Sequence, residues 1–241
     1  MRKDGCEVTW IFEPLVSGTF ARLSVASEFL KVVDDAIPLL ESKARSDLER
    51  FAGEEDLEAG EYFMEKDILD WRFQTWIPTF AAYSVIVLTY SIVEAQLNAF
   101  AEILGKRRGA EPPEVNEKSG IDQAALYLVR VLSVPVKKDP AWSCIKDMQK
   151  LRNAIVHRNG KCGKSSKQQE EEKRLLRRYP LLKLKKLDGV HDQIVIPMPL
   201  CRAFSSKADA FFERAFKSAG LPIPAHVTRR LSDSQSRAVD V

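Results

Sequence analysis

The sequence predicts an all-α chain: an antiparallel helical bundle with an N-terminal helical extension and a small β-hairpin insertion. Three observations lead there. Apolar residues recur at helical spacing over long stretches, separated by loops rich in Gly, Pro and charge. Residues 74–93, "QTWIPTFAAYSVIVLTYSIV", carry no charge and run without a break into "EAQLNAFAEILGK". Strand-like alternation is confined to "LLKLKKLDGVHDQIVIPM", where Asp188-Gly189 supplies a hairpin turn.

Taken in order, the spacing predicts a first helix from Thr19 to Phe51 with a kink at Pro38, closed by the glycines and acids of "GEEDLEAGEYF". A second helical stretch is expected from Phe63 to Leu104, with a break near Pro78, followed by the loop "GKRRGAEPPEVNEKSG". "IDQAALYLVRVLSV" reads as a compact amphipathic helix with Asp122 near its start. The next helix should open at Pro140 or Ala141, because Asp139 suits a cap and proline suits a first turn. It should stop at Asn159-Gly160, two residues that tolerate the left-handed conformation. "KCGKSSKQQEEEKRLLRRYP" is expected to be part loop and part short helix, and "SSKADAFFERAFKSAG" the last packed helix. The organisation expected is an extension over residues 1–62, a helical domain over 63–224 and a flexible tail over 225–241.

Composition narrows the function classes. At 241 residues with 45% hydrophobic and 29% charged, the chain can bury a substantial core and is not of the disordered class. The net charge of +3 does not itself demand a polyanionic partner, but its distribution is uneven. Residues 41–70 are strongly acidic, whereas residues 158–187 hold eleven Lys or Arg against three Glu. Four widely spaced cysteines without a CxxC pair, and an N-terminus without secretory character, suggest a reduced chain in the cytoplasm with no structural zinc. Residues 74–93 are long enough to cross a bilayer. Gln74, Pro78 and several Ser, Thr and Tyr residues favour instead a central helix packed on most sides, with no membrane partner.

The chemistry concentrates in "LRNAIVHRNGK", residues 151–161. On a helical wheel Cys144, Ile145, Met148, Leu151, Ile155 and Val156 form one apolar arc, and Arg152 falls inside it. Lys146, Lys150, Asn153 and His157 form a separate polar stripe, on which Asn153 and His157 are neighbours four apart. Each residue also has a structural reading: Arg152 as half of an ion pair, His157 as a cation at a helix C-terminus. Together, and followed by a basic segment, they are what a phosphodiester site needs.

"RNAIVH" resembles the R-x4-6-H motif of the HEPN superfamily (higher eukaryotes and prokaryotes nucleotide-binding), including the polar residue after the arginine. The layout is similar too: long antiparallel helices, the helix "YSIVEAQLNAFAEIL", then the motif near the end of a late helix, covering residues 75–218. Many members are metal-independent endoribonucleases acting as homodimers; others are toxins of toxin–antitoxin pairs, antiviral nucleases or inactive copies. The resemblance therefore implies an RNA substrate, a homodimer, an antitoxin or defence-system partner, and no cofactor. One toxin branch has a tyrosine two positions after the histidine. Here that position is Asn159, so the mechanism of that branch does not carry over.

The residues suit cleavage by the substrate's own 2′-hydroxyl. Histidine, with an ordinary pKa of about 6.5, can move both protons. Arginine is a permanent cation with a planar donor fork, suited to a charged phosphorane. The assignment is His157 as general acid/base and Arg152 as electrostatic stabiliser, with Asn153 orienting His157 or contributing a neutral hydrogen bond. Lys146, Lys150, Arg158, Lys161 and Lys164 would position the RNA backbone. The alternative is an inactive copy of the same fold that binds RNA, a nucleotide or a protein partner through the same cleft.

Overall fold

A computed structural model describes residues 4–55, 57–111, 120–225 and 227. They are mostly helical, with one small two-stranded antiparallel sheet. In chain order the helices are α1 (Asp4–Glu54), α2 (Ala59–Trp71), α3 (Ile77–Arg107), α4 (Ile121–Arg130), α5 (Trp142–Arg158), α6 (Ser166–Arg178) and α7 (Met198–Ser218). Strands β1 (Lys183–Lys186) and β2 (Asp192–Val195) pair between α6 and α7. Much of the expected 225–241 tail, and residues 112–119 of the expected loop, lie outside the described residues.

Two helices differ instructively from expectation. α1 begins well before Thr19 and runs through both Pro14 and Pro38. Each proline forfeits a helical hydrogen bond, and around Pro14 packing compensates. Phe12, Leu15, Val16, Thr19, Phe20 and Leu23 are all buried at helical spacing. The break expected near Pro78 takes the form of a π turn, Arg72–Trp76, in an otherwise continuous helical run. The Ile77 N–H bonds the Arg72 carbonyl five residues back. A widened turn just ahead of Pro78 makes room for a ring that would otherwise collide with the carbonyl four residues earlier.

The combined run Ala59–Arg107 is, among the described residues, the one helical stretch long and apolar enough to cross a membrane, and 44% of its most apolar window is buried. Tyr83, Val85, Ile86, Tyr90 and Val93 contribute to that burial.

By internal contacts the chain forms two compact units. One comprises Met1–Ser27, Leu88–Lys150 and Arg202–Val241, the other Glu28–Val87 and Leu151–Cys201. The first unit is an aromatic-centred bundle. Phe216 of α7 packs edge-on against Phe20 of α1 and Phe100 of α3, with ring centres 6.1 and 4.9 Å apart. Arg214 of α7 grips Asp139 through two nitrogens at 2.6 and 2.8 Å. The same carboxylate accepts the Ala141 N–H at 2.8 Å, so Asp139 caps the approach to α5 as its sequence position suggests.

The second unit holds the ends of the strands and helices that frame the motif. Asn159 and Gly160 both adopt the left-handed conformation, with φ of 52° and 73°, and end α5. The chain then runs alongside β2: the Ile194 N–H bonds the Gly160 carbonyl and the Cys162 N–H bonds the Asp192 carbonyl, both at 2.9 Å. The hairpin appears where Asp188-Gly189 predicts it. With Lys186 facing Asp192, its connection is a five-residue loop rather than a two-residue turn. Asp188 organises that loop by accepting the N–H groups of Val190 and His191.

Candidate active site

Helix α5 carries six of the expected site residues: Lys146, Lys150, Arg152, Asn153, His157 and Arg158. The division between the two units falls between Lys150 and Leu151. The apolar arc is consumed by the chain's own core. Cys144, Ile145, Met148 and Leu151 are buried, so this part of the arc does not call for a second copy to cover it. Only toward the end of the helix does cover fall away: Ile155 is half-buried and Val156 is 49% exposed.

Arg152 is half-buried, and its Nη1 donates to Asn153 Oδ1 at 3.1 Å. Asn153 thus engages the arginine, not His157. His157 is exposed on the last turn, and its side chain makes no hydrogen bond or ion pair with the described residues. An imidazole so placed has both ring nitrogens available for proton transfer. The three motif residues therefore divide into a fixed pair and a solvent-facing histidine.

The scaffold beneath this turn is well braced. Tyr83 Oη donates to the Ile194 carbonyl at 2.6 Å, and burial pushes its phenol pKa well above the ordinary value. A side chain at Gly160 would run into the Tyr83 ring, so the glycine serves both the positive φ and the close approach. Glu172 of α6, 7% exposed, accepts the Gly163 N–H on both oxygens at 2.8 and 3.1 Å and pairs with Arg158 Nη2 at 2.8 Å. Ser165 and Gln168 form a reciprocal capping box that starts α6. Burial, then the Glu172 charge, pushes the nearby Cys162 thiol up to about 11.

The expected phosphate-positioning cations are less free than their sequence suggests. Lys146 pairs with Asp122 and bonds Gln149. Lys150 lies 3.5 Å from Asp147, a buried carboxylate on the same helix. Arg158 also donates to the Lys161 carbonyl at 3.1 Å, which completes its engagement beside Glu172. Lys161 lies 2.8 Å from Asp188, whose other neighbour is His191 Nδ1 at 2.9 Å. The N–H of His191, then Lys161, hold the Asp188 carboxyl far below the usual range. Lys164, by contrast, is exposed, and its ammonium makes no bond with the described residues; the same holds for Lys167.

Sequence reasoning missed Glu172 and Tyr83, and the pairing of the hairpin residue Asp188 with Lys161. The run Glu170–Glu172 offers three candidates, and only register with buried Leu175 three residues on singles out Glu172. The chain matches no known protein-family description, no curated protein and no solved structure.

Proposed function

We propose that this protein is a HEPN-like, metal-independent endoribonuclease that works in the cytoplasm as a homodimer, in the manner of a toxin or antiviral effector. The observation that carries the reading is the C-terminal end of α5. An exposed His157 stands on its last turn, five residues beyond a half-buried Arg152 held by Asn153. The chemistry would run by attack of a 2′-oxygen on the adjacent phosphorus. His157 takes the 2′-proton, and a second copy supplies the histidine that protonates the departing 5′-oxygen. The P–O5′ bond breaks, leaving a 2′,3′-cyclic phosphate and a 5′-hydroxyl. Arg152 stabilises the phosphorane charge. Val156, exposed beside these residues, offers the apolar edge for the second copy. Lys164 and Lys167 are exposed cations open to the RNA backbone.

The test is incubation of the purified protein with RNA in excess chelator, with analysis of product ends. Cyclic phosphate ends, and resistance of a substrate bearing a single 2′-deoxy residue at the scissile position, are expected. Cleavage that needs a divalent cation, or that cuts DNA equally, contradicts this mechanism.

A further inference from the structure

From Lys31 to Ile68 no described residue is buried. The second half of α1 and all of α2 up to Leu69 thus form an arm with no core of its own, tied through Arg45 to Glu41 on α1 and Asp70 on α2. The arm nevertheless presents large apolar side chains. Phe63 and Met64 are 60% and 59% exposed, and Ile68, Trp71 and Trp76 are exposed beside them. Together they line one open groove of about 620 Å³. A contiguous exposed patch rich in Phe, Met and Trp is the signature of a binding surface, not of ordinary surface scatter.

Its geometry specifies a helix as occupant. Gly60, Met64, Asp67, Ile68 and Trp71 repeat at four and three residues along α2, the seam a second helix packs against, and Gly60 permits close backbone approach. Charge specifies the sign. Residues 31–70 hold thirteen Asp or Glu against five Lys or Arg. Asp67 and Arg72 line the groove, and Glu61 and Glu65 are exposed on the same helix. Two copies pairing arm to arm would set these acids against each other, and an anionic lipid surface would repel them. The basic helix α6 of another copy turns its buried leucine, Leu175, inward and offers a charged outer face.

We propose that the arm is the docking surface for a partner protein that lays a cationic amphipathic helix along the α2 seam. This is the helix-in-groove mode of recognition, with apolar anchors at helical spacing and flanking cations meeting the acidic rim. It stands independently of the ribonuclease reading.

The full chain is titrated with two labelled synthetic peptides, one a leucine/lysine amphipathic helix and the other the same pattern with glutamate in place of lysine. The lysine peptide is expected to bind and the glutamate peptide not. Met64→Glu and Ile68→Glu should weaken lysine-peptide binding at least about tenfold although they add negative charge, because they remove the seam. Trp71→Ala, which changes no charge, should do the same with an unaltered thermal melt. Equal binding by wild type and all three variants overturns the proposal, as does failure of the lysine peptide to bind. A dimer in light scattering that Met64→Glu abolishes makes a second copy the occupant. Flotation with anionic vesicles that depends on the same residues makes it a lipid surface. Either of these also overturns the proposal.

Discussion

The end of α5 and the arm belong to the same compact unit yet are built on opposite principles. Around Gly160 nearly every polar group is answered: Tyr83 by a strand carbonyl, Glu172 by an arginine and a backbone N–H, the chain after Gly160 by β2. In the arm, polar and apolar side chains alike face outward, and Arg45 supplies the cross-link. The first arrangement fixes a turn in place and leaves His157 turned to solvent, which is how a site is held on a rigid element. The second leaves apolar surface whose burial must come from outside the chain. A packed end suited to chemistry and an unpacked arm suited to docking are thus separable by burial alone.

That contrast can be broken in order of effect. Gly160→Ala places a Cβ against buried Tyr83 at a positive φ, so both strain and a steric clash act together. A loss of at least about 2 kcal/mol in denaturant unfolding is expected; a neutral result would mean that the brace at Tyr83 yields readily. Cys162 sharpens the same point by chemistry. With its pKa raised to about 11 by burial and the Glu172 charge, it stays a thiol at neutral pH, and alkylation should speed up only as pH climbs toward that value. Rapid labelling at pH 7 would show that the turn opens. At the other extreme, Met64→Glu in the arm should move stability by less than about 0.5 kcal/mol, since nothing is buried there to disturb. A large loss would show that the arm is packed in solution.

Local signals in the sequence proved legible and distant ones did not. Asp139 as a cap, Asn159-Gly160 as a helix stop and Asp188-Gly189 as the hairpin loop each act on their own neighbours, so spacing and residue type suffice. The early start of α1 was not, because Pro14 opposes it locally and only the burial of Phe12 through Leu23 outweighs that penalty. The pairing of the basic residues was hidden for a related reason. Lys146 finds Asp122, Arg158 finds Glu172 and Lys161 finds Asp188, each across a turn or loop that charge counting cannot fold. What looked like a continuous basic tract is in part a set of structural ion pairs, with Lys164 and Lys167 as exposed cations. In the motif itself, sequence put Arg152, Asn153 and His157 on one helix end but did not reveal that Asn153 engages the arginine.

The central claim is that the exposed imidazole on the last turn of α5 moves protons in RNA cleavage. The most direct measurement is the single-turnover cleavage rate of wild type and His157→Ala, side by side in chelator, with both melts recorded. His157 makes no bond with the described residues, so its replacement should leave the melt unchanged. General acid–base catalysis contributes about 10²–10⁴-fold, and the rate should fall by at least about two orders of magnitude. Equal rates for the two folded proteins, or no cleavage by the wild type, would contradict the account.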